Sequence, residues 1–297
     1  MSERKRLDLS WTVGHHTKQE NAPEKWIPAQ VPGAVQLDWA RSENKAPHWY
    51  AENFRDYDWC EDAFWTYQTT LPQLELSENQ RAFWVCGGVD YQFEILVGGE
   101  IVHQQEGMFA PVEIELSPEH SGQELLVRIF PTPKLVPEPR SRYQASHSVK
   151  PAVSYGWDWH PRLIPLGIWD ETFVEIRPAS FIQRAEVFQN LNDDFSRAAL
   201  RLEIETSQVL DTLIRWRVLG DNDRVVHEQT ADASQAVLHC EIENPKLWWP
   251  HDQGEPHLYR SEVELIENNR VLDSHSQKFG IKRVRLVMHE GAWDWPN

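Results

Sequence analysis

The segment Tyr155-Gly156-Trp157-Asp158-Trp159-His160-Pro161-Arg162 concentrates the residue types best suited to chemistry in this 297-residue chain. A carboxylate between two indoles can hold a sugar. The aromatic faces pack on the apolar C–H face of the ring, and Asp158 accepts hydrogen bonds from adjacent hydroxyls. The same spacing fits a structural role, with Trp157 and Trp159 wedging a loop onto a sandwich while Asp158 caps local backbone N–H groups. No competing centre is visible: the sequence holds no G-x-S-x-G, Walker loop, H-E-x-x-H or C-x-x-C. The adjacent His15 and His16 are expected at the surface, because neighbours on a strand point to opposite faces and make a poor metal pair. Neither a metal site nor a cofactor is expected.

The segment lies in an irregular stretch. From Pro131 to Gly167 the chain carries seven prolines and the cations Lys134, Arg140, Arg142, Lys150 and Arg162. A connection of about 35 residues is far longer than usual and is either functional or disordered. Its aromatics, Tyr143, Tyr155, Trp157 and Trp159, argue against disorder. An ordered excursion over one end of a sandwich is therefore expected.

Elsewhere the pattern is that of strands. Leu200, Leu202 and Ile204 alternate with charges, as do Ile214, Trp216 and Val218, then Val112, Ile114 and Leu116, and Val263 and Leu265. Period two with one charged face reads as antiparallel sheet, buried on one side. Gly98-Gly99 in YQFEILVGGEIVHQQ suits a hairpin turn, since both glycines accept positive φ. The best helix candidate is AVQLDWARS (34–42). The chain is read as all-β, built of sandwiches. Arg177-Pro178-Ala179 looks like a boundary, and residues 181–287 hold enough short strands for one immunoglobulin-like sandwich. The tail 288–297 has no strand pattern and ends with Trp293 and Trp295.

Composition removes whole classes of function. Lys plus Arg is 29 and Asp plus Glu is 46, a formal charge of −17. So acidic a surface repels phosphate backbones and anionic lipid, so neither nucleic acid nor a membrane is expected as partner. Cys60, Cys86 and Cys240 are scattered and suggest no disulfide framework, which fits a reducing, cytoplasmic setting. The N-terminus lacks the apolar core of a signal peptide, and no apolar run is long enough to span a bilayer. The 15 tryptophans are unusually many, and most are expected in the core.

Six segments in order carry a resemblance: VPGAVQLDW (31–39), FWTYQTTL (64–71), GGVDYQFEILVGGEIV (87–102), YGWDWHPRLIPLGIWDE (155–171), NPKLWWPHDQGEPHLY (244–259) and FGIKRVRL (279–286). Together they resemble the N-terminal part of family 2 glycoside hydrolases, in particular the β-mannosidase-like branch. The resemblance implies a jelly-roll-like, galactose-binding-type sandwich at 1–179, then an immunoglobulin-like sandwich at 180–287. Residues 288–297 would then be a linker stub toward a (β/α)₈ barrel. In the family that barrel supplies two glutamates about 5 Å apart for a retaining mechanism. A barrel needs on the order of 200 residues or more, so both glutamates are expected outside this chain, which then holds no catalytic residue.

The resemblance also gives Asp158 a role, contact with hydroxyls of the terminal sugar. Trp157 and Trp159 would shape the loop and Arg162 would support the carboxylate. His160 departs from the family, which usually has Gly there, and this puts mannose specificity in doubt. The chain is thus expected to be a non-catalytic portion of a retaining exo-β-glycosidase that takes a β-linked mannoside or related glycoside. A stand-alone carbohydrate-binding module and an acidic interaction scaffold are the alternatives.

Overall fold

The structure is a computed structural model that describes residues 4–136, 141–208 and 212–291. Pro137, Pro139, Arg140, Trp293 and Trp295 lie outside the described residues. The chain divides into two compact units, one spanning Arg4–Arg177 and one running from Pro178 onward.

In the first unit, β1 (Lys5–Asp8), β2 (Trp11–His16) and β3 (Ile27–Ala29) precede the helix α1 (Val35–Ser42). β4 (Phe64–Thr70), β5 (Gln80–Cys86) and β6 (Val89–Asp90) follow a 3₁₀ segment at Asn53–Asp62. Next come β7 (Gln92–Val97), β8 (Glu100–Glu106), β9 (Val112–Leu116) and β10 (Glu124–Ile129). β11 (Gly167–Ile168) and β12 (Thr172–Pro178) close the unit. The strands form a four-stranded sheet, β1-β12-β5-β9, and a six-stranded sheet, β3-β2-β4-β10-β7-β8, with β6 and β11 as a separate pair. This is the jelly-roll type of sandwich, and its core holds Trp65, Tyr67, Trp84, Phe93, Ile95, Leu125 and Ile129. The β7–β8 hairpin turns at Gly98 and Gly99, with φ of 58° and 89°, as their lack of a side chain allows.

The second unit contains β13 (Ile182–Leu191), β14 (Arg197–Thr206), β15 (Leu213–Leu219) and β16 (Val225–Asp232). β17 (Val237–Glu243), β18 (Tyr259–Glu267) and β19 (Arg270–Phe279) complete it. Its sheets are β13-β14-β17 and β16-β15-β18-β19, the strand distribution of an immunoglobulin-like sandwich. Period two explains the register: Leu200, Leu202, Ile204, Ile214, Trp216, Val218, Val263 and Leu265 all point into one core. The buried indole of Trp216 donates to Ser261 Oγ at 3.0 Å. No helix among the described residues is long and apolar enough to cross a membrane.

Two expectations are corrected. Among the described residues the tryptophans are not mostly core: Trp11, Trp65, Trp84 and Trp216 are buried and Trp39 and Trp59 pack partly buried against the core, whereas Trp49, Trp157, Trp159, Trp169 and Trp249 are exposed. The exposed ones sit on loops and turns, where strand alternation imposes no inward face. His16 is not at the surface either. It is buried between the Lys18 carbonyl and Thr66 Oγ1, 2.7 and 2.9 Å from its two ring nitrogens, while His15 on the opposite face is exposed.

Candidate functional site

The long connection between β10 and β11 is held by buried polar partners instead of a strand ladder. Two 3₁₀ turns, Arg142–Ala145 and Ala152–Tyr155, give it local shape. Ala145, Tyr155 and Ile164 pack into a small apolar cluster of their own. Tyr155 is buried, and its hydroxyl donates to the Pro133 carbonyl at 2.8 Å.

Three clamps fix the two arms of the loop. In the first, Glu61, at the end of the 3₁₀ segment before β4, takes Arg162 at 3.0–3.2 Å to Nε and 2.7 Å to Nη2. Lys134 Nζ reaches the same carboxylate at 2.8 Å, and the Glu61 carbonyl accepts from the Thr132 N–H at 2.9 Å. Burial pushes the Glu61 carboxyl up, but Arg162 and Lys134 outweigh it and hold it below its usual range.

In the second clamp, the side chains of Lys150 and Asp90 form a buried ion pair, 0% and 4% exposed. Lys150 also donates to the Pro165 carbonyl at 2.9 Å. Burial raises the Asp90 carboxyl and lowers the Lys150 ammonium, each shift opposed by the partner's charge. The third clamp is α1: Gln36 Nε2 donates to the Ile164 carbonyl at 2.7 Å, and its Oε1 accepts from the Leu166 N–H at 3.3 Å. Backbone N–H groups of Val35 and Gly33 donate to the carbonyls of Leu166 and Ile168.

Between the clamped arms, residues 157–160 close a turn in which the Trp157 N–H donates to the His160 carbonyl at 2.9 Å. Gly156, with φ of 110°, admits the turn. Trp157, Asp158 and Trp159 are all exposed at this tip, Trp159 by 71%. The Arg142 guanidinium carbon lies 3.5 Å from the centre of the Trp157 ring, a close cation–π stack. The imidazole of His160 sits edge-on to Trp159, with its Nδ1 2.6 Å from the Pro161 carbonyl oxygen.

The structure brings Trp157, Asp158 and Trp159 together at the tip but sets Arg162 apart from them. Its guanidinium, 10% exposed, is committed to Glu61 and, through Nη1, to the Tyr155 carbonyl at 3.2 Å. The expected support of the Asp158 carboxylate by Arg162 is thereby corrected: Arg162 positions the loop arm. The Asp158 carboxylate has no hydrogen-bond partner among the described residues, and the residue is exposed. Such a tip can stack a sugar ring and accept its hydroxyls. Sequence reasoning missed Glu61, Gln36 and Asp90. Lys134, Arg142, Lys150 and Arg162 did stand out, as cations in a proline-rich stretch, yet Glu61 is 101 residues from Arg162 and no local pattern joins them. No group of three or more His, Cys, Asp or Glu among the described residues is arranged to hold a metal ion.

Comparison with known proteins follows the same division. A family model described as glycosyl hydrolase 2 galactose-binding domain-like matches residues 11–170, and one described as glycosyl hydrolases family 2 matches residues 180–282. Beta-mannosidase B of Aspergillus oryzae is 24% identical over 300 residues, covering 95% of this chain and 35% of its own length. The Thermothelomyces thermophilus Beta-mannosidase B is 24% identical over 302 residues, with 95% and 34% covered. The chain thus spans about a third of the length of the curated relatives it matches. Among solved structures, Beta-D-Mannosidase from Dictyoglomus thermophilum aligns with a TM-score of 0.76 at 24% identity, over 96% of this chain and 37% of that one. A putative beta-galactosidase from Bacteroides fragilis aligns with a TM-score of 0.65 at 16% identity, over 96% and 42%. Both share the fold.

Proposed function

The chain belongs to glycosyl hydrolase family 2, and from that membership we propose that it is the N-terminal, non-catalytic portion of a retaining exo-β-glycosidase of the β-mannosidase type. Residues 1–179 are the sugar-binding-like domain in this reading, 180–287 the immunoglobulin-like sandwich, and 288–297 a connector toward a catalytic barrel. The carrying observation is the braced loop that presents Asp158 between Trp157 and Trp159. Such a tip can complete a sugar subsite but offers no second carboxylate for acid–base work. Among the described residues the strands build two open sandwiches and no closed ring of parallel strands, so a pair of carboxyls across a barrel mouth has no scaffold there. The mannosidase names of the relatives support a β-linked mannoside or related glycoside as substrate of the whole enzyme. Free, buried Cys60, Cys86 and Cys240 support a reducing, cytoplasmic setting.

Purified chain is expected to leave aryl β-mannoside and β-galactoside unhydrolysed above the buffer rate. Enzyme-like turnover would overturn the assignment. Titration with mannose and short β-linked oligosaccharides is expected to give a Kd no tighter than roughly 1 mM, about −4 kcal/mol, since one loop supplies few of a subsite's walls. The exposed Asp158, without a partner among the described residues, favours a second reading, a stand-alone carbohydrate-binding module. Micromolar affinity abolished by Asp158→Ala would select it.

A further inference from the structure

The side chains at the tip of the 141–167 loop are tied to the rest of the loop at one point. The tip backbone closes on itself, through the Trp157 N–H and the His160 carbonyl. His160 meets Trp159 and the Pro161 carbonyl, both local to the turn. The side chains of Asp158 and Trp159 have no hydrogen bond, ion pair or ring contact outside it among the described residues. The stack of Arg142 on Trp157 is therefore the one contact of these kinds, among the described residues, that joins a tip side chain to a distant part of the loop.

The turn that carries Arg142 is itself fixed. Arg142 opens the 3₁₀ turn Arg142–Ala145. Two residues on, buried Gln144 donates through Nε2 to the Val136 carbonyl at 2.6 Å, and its own carbonyl accepts from the Leu135 N–H at 3.0 Å. Ala145 packs with Tyr155 and Ile164. The turn is thus bound to the start of the long connection and to the arms of the tip.

The distance of the stack decides its geometry. A guanidinium carbon 3.5 Å from the centre of an indole ring lies over a face, because a position in the ring plane at that distance would collide with the ring's own atoms. One face of Trp157 is covered. The residue is still 42% exposed, so its open area lies on the opposite face and the rim. No ion pair or hydrogen bond of the Arg142 side chain competes with the stack among the described residues.

We propose that Arg142 is a positioning residue of the tip: it holds the Trp157 indole in one orientation and leaves a single face on which a sugar ring can pack. The role rests on the reading of the tip as a sugar subsite. Arg142 acts through Trp157 and does not touch the sugar. An indole that is already ordered need not be frozen when the sugar arrives, and that saving is worth roughly threefold to tenfold in affinity.

The test uses the full chain labelled with fluorotryptophan, with the Trp157 resonance identified by its loss in Trp157→Phe. Methyl β-D-mannopyranoside is titrated, and the fluorine shift of Trp157 reports Kd. Arg142→Ala is expected to weaken binding roughly threefold to tenfold, with the urea midpoint unchanged. Arg142→Lys keeps a cation for the ring and is expected to stay within about twofold of wild type. A wild-type Kd in Arg142→Ala, beside loss of binding in Asp158→Ala, would overturn the proposal and leave the sugar subsite standing. Equal losses in Arg142→Ala and Arg142→Lys would also overturn it, since the guanidinium N–H groups would then bond the sugar directly. If wild type gives no response to the mannoside, the sugar subsite itself falls. The hold on Trp157 is then read in the free chain, where Arg142→Ala is expected to shift and narrow the Trp157 resonance, and an unchanged resonance would refute it.

Discussion

The 141–167 loop and the 283–288 segment are opposites. The loop has almost no regular structure, yet Glu61, Lys150 and Gln36 anchor both its arms. Residues 283–288 form no regular element, and no described residue pairs with their backbone. Order therefore does not follow secondary structure in this chain. It follows where backbone and charged groups find buried partners, since an unmet buried group costs far more than a met one returns. The loop spends most of its charged groups internally and presents Trp157, Asp158 and Trp159 at its tip, while Tyr143, Ser146, His147 and Val149 are exposed along one arm. Residues 283–288 have no backbone partner among the described residues.

The strongest way to break the contrast is to strip the loop of an anchor. Lys150→Met leaves Asp90 charged, buried and unpartnered. Removing one member of a buried pair costs about 3–5 kcal/mol, and the loss should appear in the urea midpoint of the first unit followed by tryptophan fluorescence. Adding Asp90→Asn is expected to recover much of that loss. A midpoint unmoved by Lys150→Met would show that the pair does not secure the loop.

Glu61→Gln comes next. It leaves Arg162 and Lys134 with a neutral acceptor, at an expected cost of about 2–3 kcal/mol, less than for Lys150 because Lys134 is partly exposed and can reach water. Its pH signature has a definite sign. The Glu61 carboxyl is held low when folded, so its contribution is present above the unfolded value of 4.5 and is lost as pH falls through the lower folded value. The gap between wild type and Glu61→Gln should therefore narrow below pH 4.5, and a gap constant down to the acid transition would refute the ion-pair account.

Legibility in the sequence follows the same line. Leu200, Leu202 and Ile204 advertise their strand because period two and one charged face are local signals. Gly98-Gly99 does so through the φ its turn requires. Pro-rich context and aromatics marked the loop as ordered, and the W-D-W triplet marked its tip. What was not legible is contact between distant residues. Glu61 lies among other acids in NFRDYDWCED and nothing local distinguishes it. The role assigned to Arg162 went astray for the same reason, since the nearest carboxylate in sequence is not the one it meets in space. The exposed tryptophans were misjudged because composition reports the presence of indoles and not whether alternation turns them inward.

A smaller effect probes α1, the third anchor. Asp38 is buried, accepts from the Gln30 N–H at 3.0 Å and pairs with Arg41, and burial raises its carboxyl to about 6 from 3.8. The sign is opposite to that of Glu61. The folded chain takes up a proton the unfolded chain does not, so Asp38 favours folding below pH 3.8 and loses that advantage as pH rises through about 6. Each pH unit of raised affinity corresponds to about 1.4 kcal/mol. The Asp38→Asn variant should gain on wild type between pH 5 and pH 7 in urea unfolding. A difference independent of pH would place the ionisation outside this range.

The smallest effect on stability belongs to the tip, and there the two regions should behave alike. Asp158→Ala and Arg285→Ala each remove an exposed side chain with no described partner, and surface changes of that kind usually stay within about 0.5 kcal/mol. Neither should shift the urea midpoint measurably. They should differ in ligand response, since only Asp158→Ala should erase whatever heat mannosides give in calorimetry. A measurable destabilisation by Asp158→Ala would mean that its carboxylate braces the loop after all. The tip would then be one more anchor, and the division between a loop that holds itself and a tip that offers itself would fail.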